Sequence, residues 1–132
     1  MRGLTEDKPG VVMLTSLTRA KFLENLAPHL NMKERQLDMF MLGLFSLIDT
    51  FLNRPMEKAI ERLSLADDIK KALLNYEGKM GQILKMIIFY EKGEWEQTQQ
   101  IIEDLNLSPR SVVDSYCRSI IYTIETIKVL ED

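Results

Sequence analysis

Apolar residues recur at intervals of three and four from Val11 to Ile127, with few breakers between them. That spacing gathers side chains on one face of an α-helix. No stretch shows the period-two alternation between turn signals that marks a strand. Pro28, Pro55, the glycines of "YEGKMG", Gly93 and Pro109 cut the pattern into helix-length pieces. The expected fold class is all-α, a compact bundle of about seven helices. At 132 residues, a single helical domain over 1–132 is expected. A chain of that size buries roughly two-thirds of its unfolded surface, enough for one core.

The first helix should run from about Val11 to Leu26, with Pro28 at or just past its end. Asn31, with Glu34 three residues on, has the spacing of a capping box for the next helix. In that second helix Leu37, Phe40, Met41, Leu44, Phe45, Ile48, Phe51 and Leu52 form a stripe, widened by Met39, Leu42 and Leu47. So wide a stripe predicts the central helix of the bundle. Pro55 suits the first position of a short helix presenting Met56, Ile60 and Leu63. Ser64 and Asp67 repeat the capping-box spacing before Ile69, Leu73 and Leu74. "QILKMIIFYEKG" and "EWEQTQQIIEDL" read as a tight antiparallel pair turning at Gly93. Ser108 and Pro109 start the final helix. Its apolar stripe is Val113, Tyr116, Cys117, Ile120, Ile121, Ile124 and Ile127.

Composition removes several functions. The formal net charge is −3. Binding driven by phosphate neutralisation needs clustered Lys and Arg, so no nucleic-acid partner is expected. No run of about 18 apolar residues is present, so no membrane partner is expected. The start, "MRGLTEDKPG", lacks the apolar centre of a signal peptide. The lone Cys117 permits no internal disulfide and fits a reducing cytoplasm. His29 is the only histidine. Zinc sites usually need several His or Cys ligands. A Ser-His-Asp triad would have to use His29, and no G-x-S-x-G elbow accompanies any serine. No metal, cofactor or catalytic residue is expected.

One polar line interrupts the second helix. At about 100° per residue, Asp38, Ser46, Asp49 and Asn53 fall within one arc, with Leu42 among them. The spacing predicts the wetter edge of a packing helix. Because Leu42 shares the arc, a contact surface formed by Leu42, Ser46, Asp49 and Asn53 is the second reading. Catalysis by Ser46 and Asp49 lacks an accompanying base or metal ligands.

The stretches "RAKFLENLA", "FMLGLFSLIDTFLNRPMEKAIERLSLADDIKKALL" and "YEKGEWE" resemble the C-terminal part of an HDOD (HD-related output) domain, as found in bacterial proteins that join it to an EAL domain. The likeness covers roughly Arg19 to Ile121. It implies an all-helical fold related to the HD superfamily and loss of the hydrolase metal ligands. It also implies a non-enzymatic output role in signal transduction, linked to cyclic di-GMP through an EAL domain absent here. The implied partner is a protein, either an EAL domain or a second copy in a homodimer. The part of such a domain preceding "RAKFLENLA" is largely missing, so an uncovered apolar patch is expected.

Other residues read more plainly. Trp95 should anchor the two-helix hairpin, Cys117 should be a buried inert thiol, and His29 should lie in solvent or at a helix C-terminus. "YEKGEWEQTQQIIEDLNLSP" also resembles one tetratricopeptide helix pair, which makes a helical protein-binding scaffold the alternative. No second copy of that repeat is found.

Overall fold

In a computed structural model the described residues are 8–131, so most of the stretch read against a signal peptide lies outside them. Within them eight α-helices run in order: α1 Lys8–Leu26, α2 Gln36–Phe45, α3 Ile48–Leu52, α4 Met56–Ala59, α5 Asp67–Asn75, α6 Gly78–Lys92, α7 Trp95–Asp104 and α8 Pro109–Glu131. Short 3-10 turns, Ala27–Leu30 and Lys33–Arg35, link α1 to α2. The fold is all-α.

α1, not the wide-striped second helix, is the centre. It packs along α2 on one side and α8 on the other. Phe22, Leu23 and Leu26 point into a core shared with Met39 and Leu42 of α2, Ile69 of α5, and Ile83 and Ile87 of α6. The apolar face of α1 is imperfect because its seams use other residues. Against α8 these are Thr18, whose Oγ1 lies 2.6 Å from Thr123 Oγ1, and Asn25, which donates to the Ser115 carbonyl at 3.1 Å. Against α2 the decisive residue is Gly43. A Cβ there would lie 2.5 Å from the backbone of Arg19 and Ala20.

These seams rotate two helices away from the sequence expectation. In α2 the buried line is Met39, Leu42 and Gly43, while Leu37 is 69% exposed. In α8 the inner line is Val112, Ser115, Ser119 and Thr123. Small hydroxyl residues let the two backbones approach, and their oxygens bond locally, as Ser119 does to the Tyr116 carbonyl at 2.6 Å. The stripe of Val113, Cys117, Ile121 and Ile124 is left facing outward, so Cys117 is exposed, not buried.

Helix ends follow the chain signals in part. Pro28 lies just past α1, and Gly93 ends α6 at φ 72°. Ser108 Oγ accepts from the Ser111 N–H at 3.0 Å, with Pro109 first in α8. The two capping boxes do not form. Asn31 is left-handed, φ 59°, and closes the first 3-10 turn from its C-terminal side. Ala66, not Ser64, occupies the cap position of α5. Pro55 sits one residue before α4. α6 begins at Gly78, so the break is shorter than "YEGKMG", and Gly81 lies inside α6 with the backbone of Tyr76 against it.

Gly43→Ala separates helix propensity from packing. Propensity alone would stabilise α2 by about 1 kcal/mol. The backbone clash is expected to win, with a net loss of about 1–3 kcal/mol in urea unfolding.

Candidate interaction surface

The sequence expects one helix through the polar line, but the chain breaks at Ser46 and Leu47. Ser46 is hydrogen-bonded at that break. Its N–H and its hydroxyl both turn back to the Gly43 carbonyl, at 3.3 and 2.7 Å. The Ser46 hydroxyl oxygen in turn accepts from Arg19 Nη1 at 3.0 Å. Arg19, 7% exposed, directs its other donors to Glu91: Nε to Oε2 at 2.9 Å and Nη2 to Oε1 at 2.6 Å. This fork ties α1, the α2 end and α6 together. Ser46 is a bracket in it, with no base to deprotonate it.

The four residues of the expected surface do not form one face. Leu42 is fully buried in the core and Ser46 is held by Arg19. Asp49 and Asn53 do come together, lining a polar depression of about 400 Å³ with Thr50, Arg54 and Pro55. Asn53 adopts the left-handed conformation, φ 55°, that closes α3. The wheel placed all four in one arc because it assumed an unbroken helix.

A more apolar surface lies beside this line. A groove of about 340 Å³ runs between α1 (Met13, Ser16, Leu17), the α2–α3 corner (Leu44, Phe45, Ile48, Phe51) and the end of α8 (Thr126, Leu130). Its walls are almost wholly hydrocarbon. Phe45 and Ile48, on either side of the break at Ser46 and Leu47, both line it. The width of the second helix's stripe was the available signal: it holds more apolar residues than one core face can bury.

Elsewhere, Arg35 forms a second fork. It donates to Asp68 at 2.6 and 2.9 Å and to Asp38 at 2.9 Å, pinning α2 to α5. These bonds hold the Asp68 carboxyl below its ordinary pKa, against a smaller opposing effect of burial. Phe22 meets Tyr90 and Tyr116 edge-on while the two tyrosine rings pack at a tilt, and burial raises both tyrosine pKa values. Trp95 meets Tyr90 edge-on at 5.7 Å but is 63% exposed, so it caps the hairpin from outside. His29 is exposed. Among the described residues no group of three His, Cys, Asp or Glu side chains could hold a metal ion. No described helix is long and apolar enough to cross a membrane.

The chain is similar to the cyclic di-GMP phosphodiesterase CdgJ of Vibrio cholerae, 35% identical over 97 residues. That stretch is 74% of this chain and 22% of CdgJ. It is also similar to YuxH, an uncharacterized protein of Bacillus subtilis, 30% identical over 95 residues, 72% of this chain and 23% of YuxH. The chain thus matches less than a quarter of the length of either relative. No family model and no solved structure matches it.

Two outcomes check the polar forks. Glu91→Gln leaves the Arg19 charge without its counter-ion and is expected to cost about 3 kcal/mol in denaturant unfolding, against about 1 kcal/mol for Ser46→Ala. Because the folded pKa of Asp68 is depressed, its contribution is present at neutral pH and lost as pH falls below about 4. The side chain is 48% exposed, so screening keeps that contribution below about 1 kcal/mol. Asp68→Asn should flatten the acid limb of a stability–pH curve by that amount.

Proposed function

We propose that this chain is a non-enzymatic interaction module of cyclic di-GMP signalling, resembling the C-terminal part of an HDOD output domain. The observation that carries this is the 97-residue similarity to a protein named as a cyclic di-GMP phosphodiesterase, confined to 22% of that protein's length. The site chemistry agrees with a non-catalytic reading. Ser46, weighed above with Asp49, is bonded to Arg19 together with Glu91, and Asp38 and Asp68 are taken up by Arg35. An apolar groove at the surface supplies what a docking module needs.

The tetratricopeptide alternative has less behind it. α6 and α7 form one antiparallel pair, but the other helices do not repeat it: α1 lies between α2 and α8. A repeat scaffold needs stacked copies.

The chain alone should hydrolyse no cyclic di-GMP. When added to a catalytically active EAL domain, it should bind, seen by calorimetry, and change that domain's turnover. Hydrolysis by the isolated chain, or neither binding nor an effect on the EAL domain, would refute the proposal.

A further inference from the structure

α8 wears its apolar line on the outside. Its buried line is Val112, Ser115, Ser119 and Thr123, three of the four being hydroxyl residues. Its solvent side carries Val113, Ile121 and Ile124, 49%, 55% and 47% exposed, with the exposed Cys117 between the first two. At about 100° per residue these four share an arc of about 80°, turned away from the buried line. α8 packs chiefly along α1, so this side meets little of the rest of the chain. A continuous apolar line on the solvent side of a 23-residue helix marks a contact surface.

The charges along one edge of that line say what covers it. Asp114, Arg118, Glu125 and Lys128 follow one another there, all exposed, with signs minus, plus, minus, plus. The order is self-complementary about Ile121. Let a second α8 lie antiparallel on the first, with a two-fold axis at Ile121. This edge then faces its own copy. Asp114 stands opposite Lys128 of the second copy, and Arg118 opposite its Glu125, so every charge meets the other sign. Ile121 meets Ile121, and Cys117 falls beside Ile124. A parallel pair would set the charged edge against the opposite flank, where Ile120 and Ile127 offer no charge. Within one helix Asp114 Oδ2 already accepts from Arg118 Nε at 3.1 Å. The other carboxylate oxygen and the two terminal guanidinium nitrogens remain for a second copy.

We infer that the outer face of α8 joins two copies of this chain, antiparallel about a two-fold axis at Ile121. The inference rests on the reading of the chain as an interaction module and names one surface and one partner of that module. A single pair of helices buries less than a standard stable interface, so the dimer belongs to the weak, reversible class. Phe51, which lines the apolar groove and lies outside α8, serves as the internal control.

Sedimentation equilibrium of the whole chain, up to about 1 mM, should show monomer passing into dimer. Ile121→Glu should raise the dissociation constant at least about 30-fold with helicity retained by circular dichroism, since the side chain points outward. Asp114→Lys should raise it about fivefold or more, and adding Lys128→Asp to the same chain should bring it back, because the two swaps together restore opposite signs across the axis. Phe51→Glu should leave it unchanged. Orientation is read by cross-linking with diamide. Ile121→Cys in a Cys117→Ser chain puts the thiol at the two-fold axis and should link two copies quickly. The wild-type chain should not, because its Cys117 lies about 12 Å along the helix from its counterpart, beyond the roughly 7 Å between Cα atoms that a disulfide spans. A monomer at every concentration overturns the inference. So does a dimer indifferent to Ile121→Glu, a charge swap that the second swap does not rescue, a dimer lost with Phe51→Glu, or wild-type cross-linking as fast as that through position 121. These outcomes are separate from the EAL experiment: a monomer can still regulate an EAL domain, and a dimer can fail to.

Discussion

Gly43 lets the backbone of α2 come against that of α1 at Arg19 and Ala20, nearer than any side chain would allow. The close approach brings the Gly43 carbonyl and Ser46 beside the Arg19 side chain, where the guanidinium can reach both Ser46 and Glu91. A cation so little exposed is costly unless fully paired, and here each of its three nitrogens has an oxygen partner. The helix is interrupted at that same Ser46, and Phe45 and Ile48 on either side of the interruption line the apolar groove. One small residue thus links the core crossing to that groove.

The all-helical fold was legible in the sequence because its evidence is local. Spacing of apolar residues, Pro109 after Ser108 and a glycine at position 93 are properties of short windows. The rotation of α2 and α8 was not legible, because it depends on what each helix meets. The α8 seam uses Ser115, Ser119 and Thr123, residues that a hydrophobic stripe analysis counts as solvent-facing. They are buried because the neighbour is a close backbone and not a bulky side chain. Cys117 was misjudged for the same reason. Its position on the apparent stripe suggested burial, and the true inner face lies to one side.

The polar line of α2 shows how a site reading fails when one hydrogen-bonded break goes unseen. Ser46, Asp49 and Asn53 are neighbours on an ideal helix. In the fold the first supports a buried arginine, while the other two share a depression past the break. No property of residues 46 and 47 alone announces that break. It needs Arg19, 27 residues earlier. The surface apolar excess, by contrast, was foreseeable from the breadth of the stripe, and the groove is where it went.

Gly43 and Gly81 share a feature with a consequence for how the sequence can vary. In both cases the atoms that crowd the missing side chain belong to main chain: Arg19 and Ala20 for one, Tyr76 for the other. An oversized residue facing a bulky side chain can be rescued by trimming that neighbour elsewhere in the gene. Main chain offers nothing to trim. Second-site suppressors of a substitution at either glycine would have to move a whole helix. These two positions are therefore closed to gradual, compensated drift, whereas the hydroxyl seam between α1 and α8 can exchange one small residue for another.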